Sequence, residues 1–308
     1  PRCKPPDRLS SKTAAPDRAS AAQAHLQIRL KIRAASSMPT LTVDDITLHY
    51  TDNERDALPL VFVHGLGSSG RDWFAQTEAF DADYRVLTCD LRGHGQTSKP
   101  PGPYSIAQMA RDVAVWIRKL SLPPVHLVGL SMGGMVTYEL LTHAPELLRS
   151  GTVVNSVPAV NLQTPADYAF YWSRRGAVQV LGMRRVGQIL AHKLFIKPHH
   201  NDLREQFIER WAANDRHAYL ASIDGLVGWS VESRLSIIRR PVLVCAADDD
   251  YTPASVKKRH AARIPEGQLV VIADARHALP VERPDAFNAA LRAFLKRVDA
   301  RGPSAAAR

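Results

Sequence analysis

The 308-residue sequence predicts an α/β chain: a mostly parallel central sheet flanked by helices. Two observations predict it. From Tyr50 onward, short apolar runs alternate with stretches of helical spacing, and a serine, Ser131, sits between Gly129 and Gly133 where one such run meets one such stretch. In order, Thr40 to Tyr50 reads as early strand, Leu60 to His64 as strand, and Trp73 to Phe80 as helix. Tyr84 to Cys89 follows as strand, then Ile106 to Leu120 as a helix with Met109, Val113, Trp116 and Ile117 on one face. Val125 to Gly129 is a buried strand, Met132 to Leu141 the helix that leaves it, and Gly151 to Val154 a further strand.

The alternation stops between Ser156 and Ile238. Aromatic residues cluster there on helix-like stretches and long β-branched runs are absent, so this segment is expected to be an inserted helical cap over the carboxyl edge of the sheet. Trp172, Phe195 and Trp211 are the aromatics expected to face substrate. Of the cap's basic residues, Arg174, Arg175, Arg184 and Arg185, one that points inward would favour an acidic substrate. Strands resume at Pro241 to Ala246 and Gln268 to Ile272, with a last helix from about Pro284. The expected organisation is a core of 38–155 and 239–298, a cap of 156–238, and a tail of 299–308.

Ser131 carries the chemistry. A sharp strand-to-helix corner holds a serine in strained backbone geometry, and its neighbours must be nearly without side chains for strand and helix to pass so closely. A hydroxyl near neutral pH then needs a base, and the base an orienting acid, from strand ends on the same edge of the sheet. Among twelve histidines, His277 alone combines a preceding apolar strand, a short loop and a following amphipathic helix. The acid must come from Asp248, Asp249 or Asp250, which follow the strand ending at Ala246. Met132, the residue after the nucleophile, supplies one backbone N–H for the oxyanion.

The residues that complete this picture carry a resemblance. They are Val61-Phe62-Val63-His64-Gly65-Leu66-Gly67, Asp90-Leu91-Arg92-Gly93-His94-Gly95, Gly102-Pro103-Tyr104-Ser105-Ile106, Gly129 to Gly134, Asp249 to Pro253, and His277 with Glu282-Arg283-Pro284. Across about residues 40 to 297 the chain resembles the α/β-hydrolase superfamily, and within it the 3-oxoadipate enol-lactone hydrolase and carboxylesterase-like members. The resemblance implies the chain order Ser, Asp, His. It places the acid four residues before Pro253, at Asp249, with Asp248 as runner-up and Asp250 as a solvated turn residue. It also implies that Leu66 gives the second oxyanion N–H, while His64 is structural. Asn155 stands where some members keep the acid, so no carboxylate competes from there.

Composition agrees with a compact enzyme that needs no cofactor or metal: no phosphate loop, dinucleotide glycine signature or metal-ligand spacing is present. No apolar stretch reaches the roughly eighteen residues of a membrane span. Cys3, Cys89 and Cys245 are too few and scattered for a disulfide framework, so a reducing, cytoplasmic setting is expected. The net charge of +10 suggests nucleic acid until it is located. Residues 1–37 hold eight basic against two acidic side chains, Arg301 and Arg308 add two more, and only +2 remains for the rest. Residues 1–37 are expected to be a translated extension upstream of Met38, with an organelle-targeting segment as the alternative.

The expected function is a serine hydrolase that cleaves a carboxylic ester or a lactone, an enol-lactone above all. Cofactor-free haloperoxidase or perhydrolase activity, or C–C bond hydrolysis, would use the same three side chains, and a non-catalytic small-molecule binding protein would not need them. An aspartate nucleophile, as in epoxide hydrolases and haloalkane dehalogenases, is excluded by Ser131.

Overall fold

A computed structural model describes residues 39–301, so the expected extension at 1–37 and all but the first residues of the expected tail lie outside the described residues. The strands are β1 Thr40–Val43, β2 Ile46–Asp52, β3 Pro59–Val63, β4 Arg85–Cys89, β5 Val125–Leu130, β6 Leu148–Val154, β7 Val242–Ala247 and β8 Gly267–Ile272. They form one sheet in the order β1-β2-β4-β3-β5-β6-β7-β8. The β1–β2 and β2–β4 pairs are antiparallel, and every pair from β4 to β8 is parallel. The run Thr40 to Tyr50 is a hairpin rather than one strand. It turns at Asp44, whose φ of 47° is a left-handed conformation that aspartate tolerates.

The helices are α1 Phe74–Phe80, α2 Ile106–Lys119, α3 Met132–His143, α4 Pro165–Leu194, α5 Asn201–Ala212, α6 Arg216–Leu226, α7 Ala254–Ala262, α8 Leu279–Glu282 and α9 Pro284–Asp299. Strands β3 and β7 are apolar throughout because both faces are covered. Val61 and Val63 of β3, with Val242 and Val244 of β7, pack on the face covered by α2 and α3. Their alternates Leu60, Phe62, Leu243 and Cys245 pack on the face covered by α1 and α9. Edge strand β8 is only partly buried, more open than its apolar run suggests.

Helices α4, α5 and α6 fill the stretch between β6 and β7 where the alternation stops. A capping box joins Thr164 and Asp167 at the start of α4. Gly182 breaks that helix with φ 75° and ψ 168°, a conformation open to glycine and almost no other residue, so α4 is two helices joined at a kink.

Helix α9 lays Phe287, Leu291, Phe294, Leu295 and Val298 on the sheet, each worth about 1.5 to 3 kcal/mol on burial. Its last residue, Asp299, is tied down by the Tyr84 hydroxyl at 2.9 Å, His126 Nε2 at 3.1 Å and Arg149 Nε at 2.9 Å. Burial raises the Asp299 carboxyl, but the hydrogen bonds and charges of His126, Tyr84 and Arg149 outweigh it and hold the group at about 2. This lies below an unfolded aspartate at about 3.9, so the contribution is complete above about pH 4 and is lost as pH falls toward 2. Asp299→Ala is expected to lower stability at pH 7 by about 2 kcal/mol, measured by urea unfolding. The gap to the wild type should close between about pH 4 and pH 2; a gap constant over that range would refute the assignment.

Candidate active site

Ser131 stands between β5 and α3 with φ 54° and ψ −115°, a strained conformation for a residue with a side chain. Surrounding bonds fix it: Ser131 N–H donates to the Val154 carbonyl at 2.9 Å, and the Ser156 hydroxyl donates to the Ser131 carbonyl at 2.7 Å. The corner closes only because of its glycines. A Cβ on Gly129 would collide with the Gly133 carbonyl, and one on Gly133 with the Val63 carbonyl. Strand β3 and helix α3 therefore touch through bare backbone.

The loop after β3 lies alongside. His64 is fully buried; its Nδ1 faces the Gly65 carbonyl at 2.7 Å, and its Nε2 accepts the Leu91 N–H at 3.0 Å. Burial lowers the basicity of this ring, which fits a neutral structural histidine. It thereby fixes the chain entering Leu66. Met132 is the first residue of α3, where an N–H has no acceptor within its own helix. Leu66 and Met132 both line the cavity that Ser131 faces.

His277 lines the same cavity. Its Nδ1 stands 2.6 Å from Asp250 Oδ1. Here the structure corrects the expectation of Asp249. Asp249 is 66% exposed and pairs with Arg276, whereas Asp250 is 1% exposed and turns inward against the imidazole. Asp248 is used differently again, accepting the N–H groups of Asp274 at 2.9 Å and Ala275 at 3.1 Å. The cause lies behind the loop: the ammonium of Lys257, on α7, bonds Asp250 Oδ2 and the Thr252 carbonyl and so draws Asp250 inward. Burial raises the Asp250 carboxyl, but the His277 hydrogen bond and charge and those of Lys257 prevail and hold it below the ordinary carboxylate value. Among the described residues the imidazole's hydrogen bond is the one to Asp250, and Ser131 Oγ takes none.

Asn155, at the end of β6, has a role that sequence reasoning missed. Its Nδ2 donates to the carbonyls of Arg276 at 3.0 Å and His277 at 3.1 Å, and its Oδ1 accepts the Ala247 N–H at 2.8 Å. It ties the histidine loop to β7. Tyr251 was also missed; its ring lies against that of His277, with centroids 4.5 Å apart.

The cavity holds about 300 Å³, enough for a small ligand, and its walls are mostly apolar. Phe195 and Trp211 are among its lining residues, but Trp172 is not. Tyr171, Arg174 and Val178 mark the inner face of α4, at three- and four-residue steps, and Trp172 falls off that face, 60% exposed. Of the four basic residues considered in this segment, Arg174 lines the cavity. Arg175 is bound to Asp224 and Arg184 to Glu209, while Arg185 is exposed. Arg174 Nε donates to the Tyr219 hydroxyl at 3.0 Å, and its guanidinium has no carboxylate partner among the described residues. Arg210, also in the wall, is neutralised by Asp72 at 2.9 Å.

No group of three or more metal-ligating side chains occurs among the described residues, and no described helix is long and apolar enough to cross a membrane.

Known proteins resemble this chain over most of its length. A 3-oxoadipate enol-lactonase 2 of Acinetobacter baylyi is 31% identical over 263 residues, 84% of this chain and 96% of the relative. A putative carbamate hydrolase RutD of Pseudomonas syringae pv. syringae is 32% identical over 251 residues, 78% and 94% of the two chains. The crystal structure of a hydrolase from Pseudomonas aeruginosa PA01 matches with a TM-score of 0.77 at 31% identity, over 85% of this chain and 99% of that one. Residues 59–284 match the family described as alpha/beta hydrolase fold. Since that match runs from the first residue of β3 to the first of α9, the chain belongs to the α/β-hydrolase family.

Proposed function

We propose that the protein is a serine hydrolase of small carboxylic esters or lactones, working through an acyl-enzyme. One observation carries this reading: a serine on a strained corner and a histidine braced by a buried carboxylate face the same apolar cavity. Ser131 Oγ attacks the substrate carbonyl while His277 Nε2 takes its proton, and Asp250 holds the ring by Nδ1 and stabilises the cation that forms. The Leu66 and Met132 N–H groups receive the oxyanion. The imidazolium returns its proton to the leaving oxygen, which in a lactone stays attached to the acyl portion. Water, deprotonated by the same nitrogen, then releases the acid and restores Ser131.

Arg174 narrows the substrate. An arginine without a carboxylate partner in an apolar wall suits a substrate that brings its own carboxylate, as in a lactone acid. This favours the enol-lactone reading over neutral esters. Two relatives bear the names enol-lactonase and putative carbamate hydrolase, so carbamates belong in the substrate panel.

Ser131→Ala should abolish labelling by a fluorophosphonate and lower kcat by on the order of 10⁵ on any substrate of the panel. Turnover near the wild-type level would assign the activity to another site. Asp250→Asn should lower kcat/KM by about 10³ to 10⁴, while Asp249→Asn stays within about threefold; the reverse ranking would restore Asp249 as the acid. Arg174→Met should raise KM by about 10- to 100-fold for carboxylate-bearing lactones and leave neutral p-nitrophenyl esters within about twofold. Equal effects on both would remove the acidic-substrate assignment.

A further inference from the structure

Lys257 has a place that hydrolysis as described does not use. Its side chain is 0% exposed, and a lysine is almost never fully buried unless paired. An ammonium has three donors, and three acceptors surround this one: Asp250 Oδ2, the Thr252 carbonyl at 2.9 Å and Asn155 Oδ1 at 3.3 Å. Two of those partners also hold His277. Asp250 turns its other oxygen to the ring, and Asn155 Nδ2 grips the His277 carbonyl. Lys257 thus reaches the histidine by two routes, through a carboxylate to the imidazole and through an amide to the backbone.

We propose that Lys257 is a positioning residue of the hydrolytic site, whose buried ammonium locks Asp250 against His277 and offsets the negative charge that the imidazole experiences. The proposal rests on the roles of Ser131, Asp250 and His277 given above.

Its physical content is a charge balance. Lys257, Asp250 and a neutral His277 sum to zero, and protonating the ring leaves the buried group with a net positive charge. Without the ammonium the protonated ring and the carboxylate would form a neutral pair, and the imidazolium would be favoured. The ammonium and a protonated ring therefore repel each other across the shared carboxylate, a contribution that a brace acting by geometry alone would not make.

Other charges near the ring are arranged differently. Arg276 pairs with exposed Asp249, and Asp274 with Lys197 and Arg283. Glu282 of α8 accepts the Arg276 N–H at 2.6 Å, Asp248 accepts N–H groups of the same loop, and Arg174 of α4 lines the cavity. Lys257 is the cation that shares the carboxylate of His277.

The test is kcat/KM against pH for the wild type, Lys257→Gln and Lys257→Met, with a p-nitrophenyl ester, thermal unfolding as the folding control and fluorophosphonate titration to count intact sites. The acid limb should move up by about one pH unit in both variants, since glutamine keeps a hydrogen-bond donor but no charge. A folded, labelled variant whose plateau falls while its limb stays on the wild-type curve overturns the proposal and leaves the hydrolase reading standing. A wild type that neither labels nor turns over any substrate overturns both. Should the single variants not fold because Asp250 is left unpaired, Asp250→Asn compared with the Asp250→Asn, Lys257→Met double variant asks the same question. There the limb of the residual activity should lie about one pH unit higher in the double variant, and coincident limbs overturn the proposal.

Discussion

Parallel strands bring their carboxyl ends to one edge, and the site depends on that constraint. Ser131 leaves β5, Asn155 leaves β6, Asp250 follows β7 and His277 follows β8, and these four strands are consecutive neighbours in the sheet. Adjacent strands lie about 4.8 Å apart, so loops leaving neighbouring ends share one edge, and Ser131 and His277 line one cavity although 146 positions separate them. Asn155 makes the arrangement rigid. It bonds backbone of β7 on one side and of the histidine loop on the other, so the spacing between strand ends is fixed by hydrogen bonds as well as by the sheet.

Such a site stores strain and buried charge, each of which opposes folding. The Ser131 conformation costs about 1 to 3 kcal/mol, and it persists because the strand before it, the helix after it and the Val154 and Ser156 contacts all require it. The buried Lys257–Asp250 pair is a different kind of constraint. Desolvating two ions is offset only when their hydrogen bonds are complete, and here the ammonium has three acceptors while the carboxylate is held on both oxygens. What the pair supplies is definition of geometry more than stability.

Much of this was legible in the sequence, for identifiable reasons. Strands β3 and β7 announce themselves because, covered on both faces, they are apolar at every position. The serine corner announces itself because no residue but glycine fits at Gly129 and Gly133. Which aspartate meets His277 was not legible. Asp248, Asp249 and Asp250 are chemically identical, and which one faces inward is a matter of loop geometry that Lys257 decides from another element. A signal existed all the same: Lys257 and Ala261 lie one turn apart on the buried face of α7, and a lysine there demands a buried carboxylate. Trp172 was misplaced for a simpler reason, since an aromatic cluster shows that a helix has an apolar side without showing which member lies on it.

Charge pairing in and near the cavity leaves one cation of its wall without a carboxylate. Arg276 is matched by Asp249, Arg210 by Asp72, Arg175 by Asp224 and Lys257 by Asp250. These pairs cancel one another's fields at short range, so the electrostatic character of the apolar space is left to the group that lacks a carboxylate, Arg174. In apolar surroundings a guanidinium acts on an opposite charge more strongly than it would in water. Binding energy gained at a distance from a reacting group can orient that group without altering its chemistry, which is one way a fold shared by many hydrolases can serve different substrates.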